Sequence, residues 1–166
     1  MSKIKMQDWI EGARKRFGFD TWPRPSEKNA QLSARHVSLD AGKMAETWHR
    51  ETRIPWGDTG YADYFESVKN NRHRIMVRVS EYRSHDDARM ALLKEVSVSS
   101  AVTLPRLDAR GIPIGDVGFT GHGDMDTGII FVRNNILVDV RSIGEEPVSV
   151  AEFAKVMDNY ITSIVE

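Results

Sequence analysis

The segment Gly121-His122-Gly123-Asp124-Met125-Asp126-Thr127-Gly128 sets an imidazole and two carboxylates at alternate positions. In a curled loop these groups converge on a hard or borderline cation, because imidazole nitrogen and carboxylate oxygen are the donors such ions take. Asp124-x-Asp126-x-Gly128 also has the opening of a calcium loop, but the twelfth position counted from Asp124 is Asn135, which offers no bidentate carboxylate. Gly, Asp and Thr are equally what a long hairpin loop between two strands requires. His122, Asp124 and Asp126 are therefore candidate metal ligands, with an ordinary loop as the competing account.

A second concentration of chemistry runs from Trp48 to Phe65. Trp48, Trp56, Tyr61 and Tyr64 stand among His49, Arg50, Glu51, Asp58 and Asp63. Aromatic planes beside polar donors suit a sugar ring, a heterocycle or the hot spot of a protein interface. Pro55-Trp56-Gly57 can display an indole from a rigid scaffold. Candidate ligand-binding residues are Trp48, Arg50, Trp56 and Tyr61, although Tyr61, Tyr64 and Phe65 also have the spacing of a helix face turned to a core. His49 with Asp58 or Glu51 could form an acid/base pair, since an imidazole titrates near neutral pH and a carboxylate fixes its tautomer. Arg78, Arg133 and Arg141 form a last constellation: on one sheet face they would bind a carboxylate or phosphate, with Asp139 as an internal partner.

Several chemistries have no signal. There is no G-x-S-x-G elbow, no phosphate-binding G-x-x-x-x-G-K-[ST], no G-x-G-x-x-G fingerprint and no H-E-x-x-H. The 166 residues include no cysteine, which removes thiol catalysis and zinc-thiolate or iron–sulfur sites. No cofactor is expected. The net charge of −1 supplies no basic field for nucleic acid. It conceals a basic first third and an acidic end: residues 1–53 hold 11 Lys/Arg against 7 Asp/Glu, and residues 111–166 hold 3 against 9. No run approaches the ~20 apolar residues that cross a bilayer, so no membrane partner is expected. The first residues carry no apolar leader, which makes a cytoplasmic location the default and a mature exported form the alternative.

Periodicity suggests the elements that must position these groups. Met6, Trp9, Ile10, Ala13 and Phe17 make a helix stripe over 6–17, ended by Gly18 and followed by an extended connector, Trp22-Pro23-Arg24-Pro25-Ser26. A strand is expected over 32–39. Asp40 suits the cap of a helix over 41–52, and a short helix is expected over 60–69. Residues 73–82 alternate as a strand, with Ile75, Val77 and Val79 on one side and Met76, Arg78 and Ser80 on the other. Ser84 caps a helix over 85–96. Strands follow at 113–119, 128–133 and 136–141, the last two joined by Asn134-Asn135. Ser149 and Glu152 have the form of a capping box for a helix over 150–164.

This order implies an α+β fold, a mainly antiparallel sheet with a C-terminal three-strand meander covered by helices. Over residues 72–166 the strand–helix–meander–helix order resembles that of PsbP-like domains, in which helices flank an antiparallel sheet. The organisation expected is an N-terminal helical arm, 1–25, and one domain, 26–166. The function expected is recognition of a partner protein or ligand through residues 48–64. The alternatives are a small enzyme using His49 or His122, and a carbohydrate binder using Trp48 and Trp56.

Overall fold

Alternating side chains, rather than helical stripes, govern the middle of the chain. The computed structural model describes residues 2–25, 31–99 and 103–165. Strands β1 (Trp48–Trp56), β2 (Gly60–Ser67), β3 (Arg74–Glu81), β4 (Val117–Thr120), β5 (Gly128–Arg133) and β6 (Ile136–Ser142) form one antiparallel sheet of six, ordered β1-β2-β3-β6-β5-β4. Helices α1 (Lys3–Phe17), α2 (His85–Ser97) and α3 (Ala151–Val165) cover it. The fold is α+β with an antiparallel sheet, and the C-terminal meander is β4–β5–β6.

Two expected helices are strands. Residues 41–52 supply only a 3-10 turn, Ala41–Lys43, where the Asp40 carboxylate accepts from the Gly42 amide at 3.0 Å; β1 then begins. Of residues 60–69, Gly60–Ser67 form β2, where Tyr61, Asp63, Phe65 and Ser67 are all buried, a period of two. The i, i+3, i+4 spacing of Tyr61, Tyr64 and Phe65 misleads because aromatic residues favour strands as readily as they mark a helix face. Val68, which a helix stripe would bury, is exposed. Pro55, a helix breaker, is acceptable in β1 because that strand lies at the sheet edge.

The expected strand over 32–39 is instead an irregular segment with a 3-10 turn, Ala34–His36. Its backbone is satisfied by side chains of the sheet: the Ala34 amide donates to Glu81 and the Leu32 amide to Asn135, both at 2.9 Å. The strand expected from 113 starts only at Val117, after a turn in which Gly115 has φ of 72°. The Asn134-Asn135 hairpin is present, with Asn134 at φ of 54° and its amide donating to Asp116 at 2.7 Å. Ser84 caps α2 by accepting from the Asp87 amide at 3.1 Å. At α3 the reciprocal capping box does not form. Ser149 accepts from Ala151, while the Glu152 carboxylate crosses to the Ala45 amide at 2.6 Å. Ser26, the end of the expected connector and the boundary of the expected arm, lies outside the described residues.

The sheet is buried unevenly. On one face, Phe65, Ile75, Val77, Val79, Phe131, Val138 and Val140 pack under Phe153, Ala154, Met157 and Ile161 of α3 and under the 32–44 segment. On the other, Val117, Phe119, Ile130, Val132 and Leu137 pack under Leu92, Leu93 and Val96 of α2 and under Ala13 and Phe17 of α1. The second core draws on β4, β5 and β6 only. Across β1, β2 and β3 that face has no described helix over it.

Candidate recognition surface

Cross-strand partners in an antiparallel sheet share a face. One row across the uncovered face is Ile54–Ala62–Arg78–Asp139, and the next is Thr52–Tyr64–Met76–Arg141. Trp56, opposite Gly60, closes the row at the hairpin end. Its indole is 46% exposed and Ile54 is 47% exposed, whereas Ala62 beneath them is fully covered.

The indole crosses β2 to reach β3. The Arg78 guanidinium lies 4.9 Å from the Trp56 ring, a cation–π contact. Ala62, which lies between Ile54 and Arg78 in the row, is small, and Gly60 is fixed by the backbone around it. A Cβ on Gly60 would sit 2.5 Å from the Val79 carbonyl oxygen and 2.7 Å from that of Trp56, so no larger residue fits without movement of the backbone.

Carboxylates hold the guanidinium groups of this face. Arg78 lies 3.2 Å from both Asp139 and Glu95, and its Nη2 makes these as ion-pair contacts, off the direction of a hydrogen bond. Arg141 donates through Nε to both oxygens of Asp139 at 3.0 Å, which holds it more firmly in its charged form although burial opposes this. Arg74 pairs with Glu51 and, at 3.6 Å, with Glu66. The face is thus apolar at one corner and internally neutralised elsewhere.

The four candidate ligand residues do not stay together. Trp48 and Trp56 are eight positions apart and would share a face in a regular strand, but the register slips between Arg50 and Thr52. This β-bulge reverses the alternation beyond it. Trp48, Arg50 and Tyr61 therefore point to the α3 side. Trp48 is buried edge-on against Phe153, with ring centroids 5.0 Å apart. The Tyr61 hydroxyl donates to the Val37 carbonyl, and burial pushes its ionisation well above the usual phenol range. Arg50 approaches Asp63 at 3.8 Å, beside Arg53, whose Nε and Nη2 grip the same carboxylate at 2.7 Å each. A pair of indole planes facing one sugar ring is not formed.

His49 and Asp58 sit at opposite ends of the β1–β2 hairpin, separated by seven residues of strand from His49 to Trp56, on the order of 20 Å. In the 121–127 loop, a His122 ring nitrogen lies 2.7 Å from the Thr103 carbonyl. Asp126 accepts from the Thr120 hydroxyl at 2.8 Å and lies 3.4 Å from Arg110. Among the described residues, no three His, Cys, Asp or Glu side chains gather as a metal would need. The arginine constellation divides as well. Arg78 and Arg141 share the uncovered face, while Arg133 lies on the α3 side, bidentate to Asp158 at 2.7 and 2.8 Å and 3.0 Å from Asp116.

Sequence reasoning singled out Trp56 but not Ile54, whose signal was the alternation of Thr52, Ile54 and Trp56 across Pro55. It placed Met76 and Arg78 on the same side of β3, and read that side as a possible arginine site for a carboxylate or phosphate rather than as a surface beside Trp56. Alongside the uncovered face, a groove of about 600 Å³ runs between α2 and the end of β3, lined by Tyr82, Met90, Ala91 and Lys94 among others.

Comparison with protein-family models, with curated protein sequences and with solved structures gives no match. Among the described residues, no helix is long and apolar enough to cross a membrane.

Proposed function

We propose that this chain is a recognition module whose partner protein docks on the outer face of β1, β2 and β3, centred on Trp56. The observation that carries this reading is a half-exposed indole, fixed by Arg78 on a sheet face that no described helix covers. Exposed aromatic anchors held in one conformation lose little entropy on binding and dominate interface energetics. The neighbouring guanidinium groups already have carboxylate partners, so the surface favours a partner that buries apolar area over one that brings charge.

The test is quantitative recovery of partners from an extract of the source cells on immobilised wild-type chain, Trp56→Ala and Ile164→Ala. Ile164 is exposed on α3, which packs on the opposite side of the sheet, and serves as a control. The reading expects a partner lost with Trp56→Ala and retained with Ile164→Ala. Equal recovery by all three would refute it.

A further inference from the structure

Resting on that reading, we propose that Glu95 of α2 is a positioning residue for recognition: through Arg78 it sets where the Trp56 indole stands. Trp56 ends β1 and Glu95 lies toward the end of α2, with Arg78 of β3 between them. The Arg78 guanidinium is 4.9 Å from the indole ring, and its Nη2 is 3.2 Å from the Glu95 carboxylate. Among the described residues no aromatic ring pairs with Trp56, whereas Trp22 tilts against Phe119 and Trp48 stands edge-on to Phe153. The cation is what holds this indole, and a cation–π contact lasts only while the charge stays over the ring.

Charge counting gives Glu95 its role. Arg78 and Arg141 bring two positive charges to the cluster, and Asp139 and Glu95 bring two negative ones. Asp139 is divided between the guanidinium groups: it lies 3.2 Å from Arg78 Nη2 and accepts from Arg141 Nε through both oxygens at 3.0 Å. Glu95 supplies the second negative charge. Arg141 is held in its charged form first by its hydrogen bonds to Asp139 and, beyond these, by Glu95. Tyr82 borders the same pair: burial first, and then the Glu95 charge, raise its ionisation, while Arg78 lowers it. Among the described residues Nη2 of Arg78 makes no hydrogen bond, so charge rather than a directed bond fixes it. Only 11% of the Arg78 side chain is exposed, and a cation so placed depends on its counter-charges more than on water. With Glu95 neutral, two guanidinium groups share one carboxylate, and Arg78 leaves the point at which it holds the indole.

The test is fluorine NMR of the full chain labelled with fluorotryptophan, the Trp56 signal being the one lost in Trp56→Phe. Glu95→Gln removes the charge and keeps the size. Asp87→Asn is the control, since Asp87 is another α2 carboxylate lining the same groove and makes no ion pair with Arg78. The Trp56 signal should shift in Glu95→Gln and not in Asp87→Asn, with the signals of Trp9, Trp22 and Trp48 in place. In an Arg78→Met background, Glu95→Gln should no longer move it, because the coupling passes through the guanidinium. The partner recovered on immobilised chain should bind Glu95→Gln about 2–5-fold more weakly than wild type, the worth of an exposed cation–π contact. An unmoved Trp56 signal in Glu95→Gln, an equal shift in the Arg78→Met background, or a partner bound as tightly as by wild type would each overturn the inference and leave the recognition reading standing. Equal recovery of partners by wild type and Trp56→Ala would remove the recognition reading, and the inference with it, whatever the Trp56 signal does.

Discussion

Gly60, the cross-strand partner of Trp56, stands where the backbone leaves no space for a side chain. Gly60→Ala would push a methyl to within 2.5 Å of the Val79 carbonyl oxygen. The expected cost is about 1–3 kcal/mol in chemical denaturation, together with a change in indole fluorescence as the ring is displaced. Trp56→Ala removes a ring that is half in water, so its stability cost should stay near 1 kcal/mol while binding is lost. Tyr61 behaves in the opposite way. Its buried hydroxyl donates to Val37, and Tyr61→Phe leaves that carbonyl unpaired, for an expected loss of about 1 kcal/mol near neutral pH. Burial raises its ionisation above that of a free phenol, so the folded chain keeps a proton that the unfolded chain releases. That contribution is fully present below pH 10 and falls as pH rises beyond it. Urea unfolding of wild type and Tyr61→Phe from pH 8 to 11 should show the steeper alkaline decline in the wild type. At this scale the sequence picked out Trp56 through Pro55-Trp56-Gly57. It did not show that Trp48 turns to the opposite face, because a single extra residue near Glu51 decides which face each indole takes, and no composition signal marks a bulge.

Whole elements were legible where their burial leaves a regular mark on the sequence. The helix α3 and the strand β3 bury a stripe and an alternation, and β5 and β6 are continuous apolar runs, buried on both faces, on either side of Asn134-Asn135. β1 fails this test because eight of its nine residues are exposed, leaving no buried period to read. α1 is an intermediate case. Its apolar stripe runs from Met6 to Phe17, but only the second half docks: Ala13 and Phe17 are buried, with Phe17 edge-on to Phe119 at 5.8 Å, whereas Met6 and Trp9 remain substantially exposed. Periodicity shows that a helix has an apolar side, not how much of that side meets the core. Phe17→Ala should therefore cost about 3–5 kcal/mol, the usual loss for a buried phenylalanine. Trp9→Ala, in the same stripe, should cost under about 1 kcal/mol. Thermal unfolding of the two variants beside wild type separates these outcomes.

For the molecule as a whole, one sheet serves two cores of unequal extent. The α3 side is covered from Trp48 of β1 to β5, while the α1–α2 side closes only over β4 to β6, and the difference leaves three strands with no described helix over one face. The even charge balance has a local counterpart there, since the exposed guanidinium groups are matched by carboxylates drawn from β1, β2, β6 and α2. The fold class was accessible from element order and alternation. The bare face was not, because it follows from strand order β1-β2-β3-β6-β5-β4 and from which strands α2 crosses, both set by tertiary packing. The central claim is that this face is the one a partner covers. Hydroxyl-radical footprinting of the chain alone and in complex with the captured partner tests it directly, since methionine and tryptophan side chains report their own exposure. The account predicts that Trp56 and Met76 are protected in the complex while Met6, Trp9 and Met125 oxidise as before. Protection of Met6 and Trp9 with Trp56 unchanged would contradict it.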